Sequence, residues 1–155
     1  MIQLAQQTDL SAICLLRRQI HALHSNGRPD IYRMPENLAD FDQILYEDFK
    51  KEDYRLFVYE TDKINAYALV RLVTRMKDAT SCDRFFYYIN EFCVDDTCRR
   101  QGIGTMLMNA IIDDAKEKGA ASVELGVWAF NESAELFYRS LGMQTKNTIL
   151  ELSLN

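Results

Sequence analysis

Seven consecutive residues, Arg99, Arg100, Gln101, Gly102, Ile103, Gly104 and Thr105, form the segment of this 155-residue chain best suited to chemistry. They follow an apolar run from Tyr87 to Val94 and a polar break at Asp95, Asp96 and Thr97, and they open an amphipathic stretch that continues to about Asp114. A strand, a tight turn and a helix start in that order aim backbone N–H groups at one point, and two glycines let a ligand come close to them. That chemistry is anion binding. Two familiar phosphate loops do not fit: no lysine follows Gly104 as a P-loop requires, and Leu107 stands where a dinucleotide fingerprint needs its third glycine. His21 and His24 lie one helical turn apart, but no nearby Cys or His completes a metal site, so no metal is expected. Cys93 has no histidine near it in sequence to activate it as a nucleophile.

A second stretch lies downstream: Asn131, Glu132, Ser133, Ala134, Glu135, Leu136, Phe137 and Tyr138, followed by Leu141, Gly142 and Met143. With Arg99-x-x-Gly102-x-Gly104 before it, and a helix and a strand pattern between the two, the pair resembles the GNAT superfamily of N-acetyltransferases. The pyrophosphate loop of that family reads Arg/Gln-x-x-Gly-x-Gly/Ala, and its last motif reads Asn-x-x-Ala-x-x-Phe/Leu-Tyr. The resemblance implies acetyl-CoA as acyl donor and direct attack by an amine within a ternary complex.

It also implies roles for particular residues. Arg100, Gln101, Gly102, Ile103, Gly104 and Thr105 would turn backbone amides to the pyrophosphate, with Arg99 or Arg100 adding charge. The backbone of Phe92, Cys93 and Val94 would pair with the pantetheine arm, and Asn131, a good N-cap in its own right, would also contact CoA. Tyr138 matches the general acid that protonates the leaving thiolate, a task suited to a phenol with a reference pKa of ~10. Glu91 matches a position where many GNAT enzymes carry an acid, and is the candidate base. A carboxylate in an apolar run must be paired or solvated, and the competing reading is a glutamate that only holds a loop. Gly126 stands five residues before Asn131, where ribosomal-type amino-terminal acetyltransferases often have glutamate. Glu124 shares its side-chain phase but not its place along the strand. That departure counts against a protein amino terminus as acceptor.

The whole chain bounds these readings. With 48% hydrophobic residues, 155 residues fit one domain spanning 1–155 with one ordinary core. A net charge of −5 argues against a nucleic-acid or anionic-membrane surface. No apolar run is long enough to span a bilayer, no signal-like amino terminus is seen, and a cytoplasmic location is expected. Cys14, Cys82, Cys93 and Cys98 show no Cys-x-x-Cys spacing and are expected to be reduced thiols.

The elements that must position the candidate residues follow from periodicity. Met1–Ala5 reads as an edge strand, and Asp9 as the N-cap of a helix through about Ser25. Arg28–Pro35 is an irregular loop holding both prolines; by resemblance it borders the acceptor site, and otherwise it is a rigid turn packed by Ile31 and Tyr32. A second helix begins near Leu38. Between Arg28 and Asp53, eight acids (Asp30, Glu36, Asp40, Asp42, Glu47, Asp48, Glu52, Asp53) oppose four bases (Arg28, Arg33, Lys50, Lys51), a formal −4. Such a segment either draws a cationic amine or is a solvated helix face. Tyr54–Thr61 and Ala66–Arg75 read as a hairpin, Met76–Asp83 as a polar excursion, and Arg84 onward as the strand entering the glycine loop. A strand over Ala121–Trp128 should run parallel to it, because a crossover helix joins the two. A helix over Asn131–Leu141 and an alternating strand over Gln144–Leu154 complete the chain. The fold class is α/β, a mixed, mostly antiparallel sheet of about six to seven strands flanked by about four helices. The expected function is N-acetylation of a small amine, with a cationic one the minor preference. A sensor without turnover and a protein or peptide acetyltransferase stay open, as does a homodimer through the terminal strand.

Overall fold

The computed structural model describes residues 1–154. Five strands, β1 (Ile2–Leu4), β2 (Tyr54–Glu60), β3 (Ile64–Arg75), β4 (Arg84–Val94) and β5 (Val123–Leu125), lie side by side in sequence order. Four helices accompany them: α1 (Leu10–Gly27), α2 (Leu38–Phe49), α3 (Ile103–Glu117) and α4 (Glu132–Ser140). All pairings are antiparallel except β4 with β5, which is parallel and connected through α3. The period-2 alternation of the central strands divides the core into two halves. Leu56, Val58, Tyr67 and Leu69 face the α1–α2 layer with Leu10, Ile13, Leu16 and Leu45. Phe57, Ala66, Ala68 and Val70 face the α3–α4 layer with Ile103, Leu107, Met108 and Ile111.

One irregularity in β4 decides which way the site faces. Leu69 pairs with Glu91 but Val70 pairs with Ile89, so Asn90 is an extra residue in β4. A bulge of one residue reverses the facing of everything after it. Tyr87 and Ile89 belong to the α3–α4 half, whereas Cys93 belongs to the α1–α2 half and Phe92 and Val94 pack on the α3–α4 half. Glu91 is thereby turned toward α1.

Three expectations are corrected. The sheet has five strands among the described residues, not six to seven, because Gln144–Leu154 forms no strand. Its alternation says which side chains share a face but supplies no partner. β5 is three residues long rather than eight, because β4 diverges from it beyond Ile89 and a ladder needs both strands. Asp9 does stand at the N-cap position of α1, but its carboxylate makes no capping bond there: it accepts from the Gln6 N–H at 2.8 Å in a 3-10 turn over Gln7–Asp9, so the chain is already helical at Asp9. At its other end α1 runs on to Gly27. A Cβ there would stand 2.4 Å from the Phe130 ring, so glycine lets the helix end press against the β5–α4 loop.

Candidate active site

The glycine loop is rooted by Asp95. Its buried carboxylate accepts from the Thr97 N–H and hydroxyl, both at 3.0 Å, and from Lys63 at 3.1 Å. The Thr97 N–H and Lys63 hold that carboxyl below the usual range. Arg100 (φ 62°) and Gly102 (φ 80°) then take left-handed conformations on either side of Gln101. That curl delivers the chain into α3 with Gly102 as N-cap and no side chain over the first turn. Met106 N–H returns to the Gly102 carbonyl at 3.0 Å, whereas Ile103, Gly104 and Thr105 N–H groups have no backbone acceptor among the described residues. Three donors at the positive end of a helix dipole, with exposed Arg99, Arg100 and Gln101 around them, form an anion seat. Gly104 has a further role: a Cβ there would lie 3.1 Å from Phe137 Cζ and 3.7 Å from Val94 Cγ2. Its absence lets α4 dock on the start of α3.

That docking brings Tyr138 to the diverging end of β4. Its ring meets Phe92 edge-on at 6.1 Å and Phe137 at 5.2 Å. Burial pushes its hydroxyl up to about 12, with neighbouring Cys93 adding to the effect. It is therefore a protonated donor across the physiological range. Asn131 caps α4, accepting from the Ala134 N–H at 3.3 Å. Beyond Ile89 the β5-facing edge of β4 has no ladder partner. Because Asp95 N–H reaches back to the Asn65 carbonyl, strand alternation turns the backbone groups of Phe92 and Val94 outward to this gap and those of Cys93 toward β3. Arg99 Nε donates to the Val94 carbonyl at 3.3 Å. The Cys93 thiol is buried, pushed up to about 12 by that burial, and donates to the Leu16 carbonyl at 3.5 Å.

On the opposite face, Glu91 accepts from Arg17 Nε at 2.9 and 3.0 Å and from the Tyr67 hydroxyl at 2.8 Å. Arg17 is almost wholly buried; its Nη1 donates to the Phe41 carbonyl at 2.8 Å and its guanidinium lies over the Phe41 ring at 4.4 Å. Sequence reasoning missed Arg17. The available signal was a charged residue on the core face of α1, beside Ile13 and Leu16, which requires a buried partner. One turn beyond Arg17 along the same face, His21 Nε2 donates to the Arg33 carbonyl at 2.7 Å and holds the α1–α2 loop. His24 stacks on Tyr32 at 5.5 Å, and Tyr32 meets Trp128 edge-on at 5.9 Å. Burial and then His21 lower the His24 pKa, against the pull of Glu91, so it is neutral at pH 7. The Arg28–Pro35 loop thus packs through Tyr32, while Ile31 stays half exposed.

Two further readings resolve. Five of the eight acids between Arg28 and Asp53 are in ion pairs: Asp30 with Arg28, Glu36 with Arg33, Asp42 with Arg18, Asp48 with Lys51 and Asp53 with Arg71. Three of those partners, Arg28, Arg33 and Lys51, are already counted in the segment's −4, so only Arg18 and Arg71 offset it from outside and a formal −2 remains. Glu124 cannot stand in for a base. Burial pushes its carboxyl up, but hydrogen bonds from Lys146, Ser122 and Arg84 outweigh this and hold it at about 2. At Gly126 a Cβ would lie 3.3 Å from the Tyr88 hydroxyl, which occupies the space beside that position.

A model of the acetyltransferase (GNAT) family matches residues 18–143. The chain belongs to that family. A structure of a tetramutant of protein BH1408 from Bacillus halodurans superimposes on this GNAT chain with a TM-score of 0.91 at 34% identity, covering 99% of both chains. The uncharacterized N-acetyltransferase MJ1207 of Methanocaldococcus jannaschii is 43% identical over 61 residues, a match that takes in 39% of this chain and only 27% of that relative. The ribosomal protein bS18-alanine N-acetyltransferase of Escherichia coli K12 is 27% identical over 126 residues, covering 79% of this chain and 78% of its own. Both the fold and the family are those of N-acetyltransferases.

Proposed function

We propose that this GNAT protein transfers acetyl from acetyl-CoA to the primary amine of a small acceptor by direct attack in a ternary complex. The observation that carries the reading is the Asn90 bulge. It separates one strand into two services: Phe92 and Val94 open toward the gap beside β5, and Glu91 is directed to the α1–α2 side. Donor and acceptor can then meet across the strand. The anion seat at α3 takes the pyrophosphate, and the unpaired β4 edge takes the pantetheine arm as an added strand would be taken. An amine nitrogen attacks the thioester carbonyl, a C–N bond forms, the C–S bond breaks, and Tyr138 gives its proton to the departing thiolate. The proton lost by the amine passes to Glu91, directly or through water, with Arg17 and Tyr67 fixing the carboxylate. Cys93 takes no part, because a buried thiol at about 12 is not a nucleophile.

A protein amino terminus is the second reading, favoured by the bS18-alanine relative. Gly126 and the Tyr88 hydroxyl beside it weigh toward the small acceptor. Calorimetric titration with acetyl-CoA and CoA, followed by thiol release with a panel of free amines and peptides, tests the proposal. Binding with release dependent on a free amine is expected. Binding without release from any acceptor would leave a sensor, and release with peptides alone would select the second reading.

A further inference from the structure

The α1–α2 layer leaves part of its side of the sheet uncovered. Onward from Leu69, alternation puts Arg71, Val73 and Arg75 of β3 on that side, opposite Tyr88, Phe86 and Arg84 of β4. Phe86 is only 4% exposed, yet it belongs to neither core half. Cations cover it in place of apolar side chains: Arg84 lies 4.7 Å from its ring centroid, Lys146 5.6 Å and Arg75 5.9 Å. Arg84 and Lys146 share one carboxylate, that of Glu124, and Arg71 pairs with Asp53. Arg75 is exposed, and its guanidinium has no hydrogen-bond or ion-pair partner among the described residues. Four cations against two carboxylates leave a formal +2 on this strip, in a chain whose net charge is −5.

The strip and the candidate base share a face. The Asn90 bulge turns Glu91 to the side that Phe86 and Tyr88 hold before it. The Glu91 side chain keeps 20% of its exposure and Tyr88 keeps 36%, so the floor between base and cations is open. Val73, opposite Phe86, is four residues beyond Leu69, opposite Glu91, which sets the cations about 13 Å from the base. We propose, resting on the acetyl-transfer reading above, that this strip binds a carboxylate at the far end of the acceptor while the amine sits at Glu91. Arg75 supplies the free guanidinium, the only one of the four cations without a carboxylate of its own among the described residues. Tyr88 underlies the chain that links the two ends. The acceptor is then an amino acid with widely separated ends, not a polycation, and the positive strip draws it in.

Three amines of matched length, 8-aminooctanoate, 1-aminooctane and 1,8-diaminooctane, test this by acetyl-CoA-dependent thiol release. The acid is expected to exceed 1-aminooctane in kcat/KM by about fivefold at low salt and to lose that advantage at about 0.5 M salt. Arg75→Glu is expected to reverse the order and place the diamine above the acid. Equal kcat/KM for the acid and 1-aminooctane, or an order that Arg75→Glu leaves unchanged, would overturn the carboxylate site. Calorimetry with CoA present separates this from a failure of acetyl transfer. If no amine is acetylated, binding of 8-aminooctanoate that Arg75→Glu abolishes keeps the site and removes the transfer, whereas no binding of the acid overturns the site itself.

Discussion

Three side chains carry the separable predictions. Tyr138→Phe removes only a hydroxyl, so turnover should fall by roughly 10²-fold while the calorimetric affinity for CoA is unchanged. Wild-type turnover would remove Tyr138 from the chemistry. Glu91 needs a paired test, because it is also the counterion of a buried guanidinium. Glu91→Gln alone should cost about 2 kcal/mol by urea unfolding, since it leaves Arg17 charged without its partner. Adding Arg17→Met should recover most of that stability. If Glu91 accepts the amine proton, the doubly substituted protein is stable and still slow; recovered turnover would make the glutamate a strut. Arg17 and Glu91 lie 74 residues apart. Composition and periodicity could announce that each wanted a partner, but not that they were each other's.

At the scale of elements, the order of strands and helices was legible from alternation and glycine placement, down to the parallel β4–β5 pair. The glycine loop was legible because its geometry is written locally, in a few consecutive residues. Non-local features were not. Asn90 differs in no obvious way from any polar strand residue, yet the bulge it makes decides the facing of Glu91. The cluster of His24, Tyr32 and Trp128 joins the end of α1 to two loops that only the folded sheet brings together. The docking of α4 on α3 depends on the missing Cβ of Gly104. Gly104→Val should push Phe137 away, move Tyr138 with it and weaken acetyl-CoA binding about tenfold, or about 1.4 kcal/mol by calorimetry. Gly102→Val should instead cost about 1–2 kcal/mol of stability through its left-handed backbone. Equal effects of the two on CoA binding and on unfolding would refute this division.

For the molecule as a whole, Glu124 fastens β5 to β4 through Arg84 and to the tail through Lys146. Its folded carboxyl titrates near 2 against an ordinary 4.5, so its contribution is complete above pH 4.5 and is lost as pH falls toward 2. With Lys146 and Arg84 open to solvent, that contribution is about 1 kcal/mol. Unfolding of Glu124→Gln should thus differ from wild type at pH 7 and converge with it near pH 2; a constant difference would place the effect elsewhere. No described helix is long and apolar enough to cross a bilayer. Trp128 is the one tryptophan of the chain. Tyr32 meets its edge, Phe130 stacks parallel to it at 6.3 Å, and the Arg28 guanidinium lies over it at 5.3 Å while holding Glu151. Its emission therefore reports, without any added label, on the junction of the α1–α2 loop, the β5–α4 loop and the tail. A guest entering among those rings, or a tail leaving Arg28, changes the colour and intensity of one fluorophore.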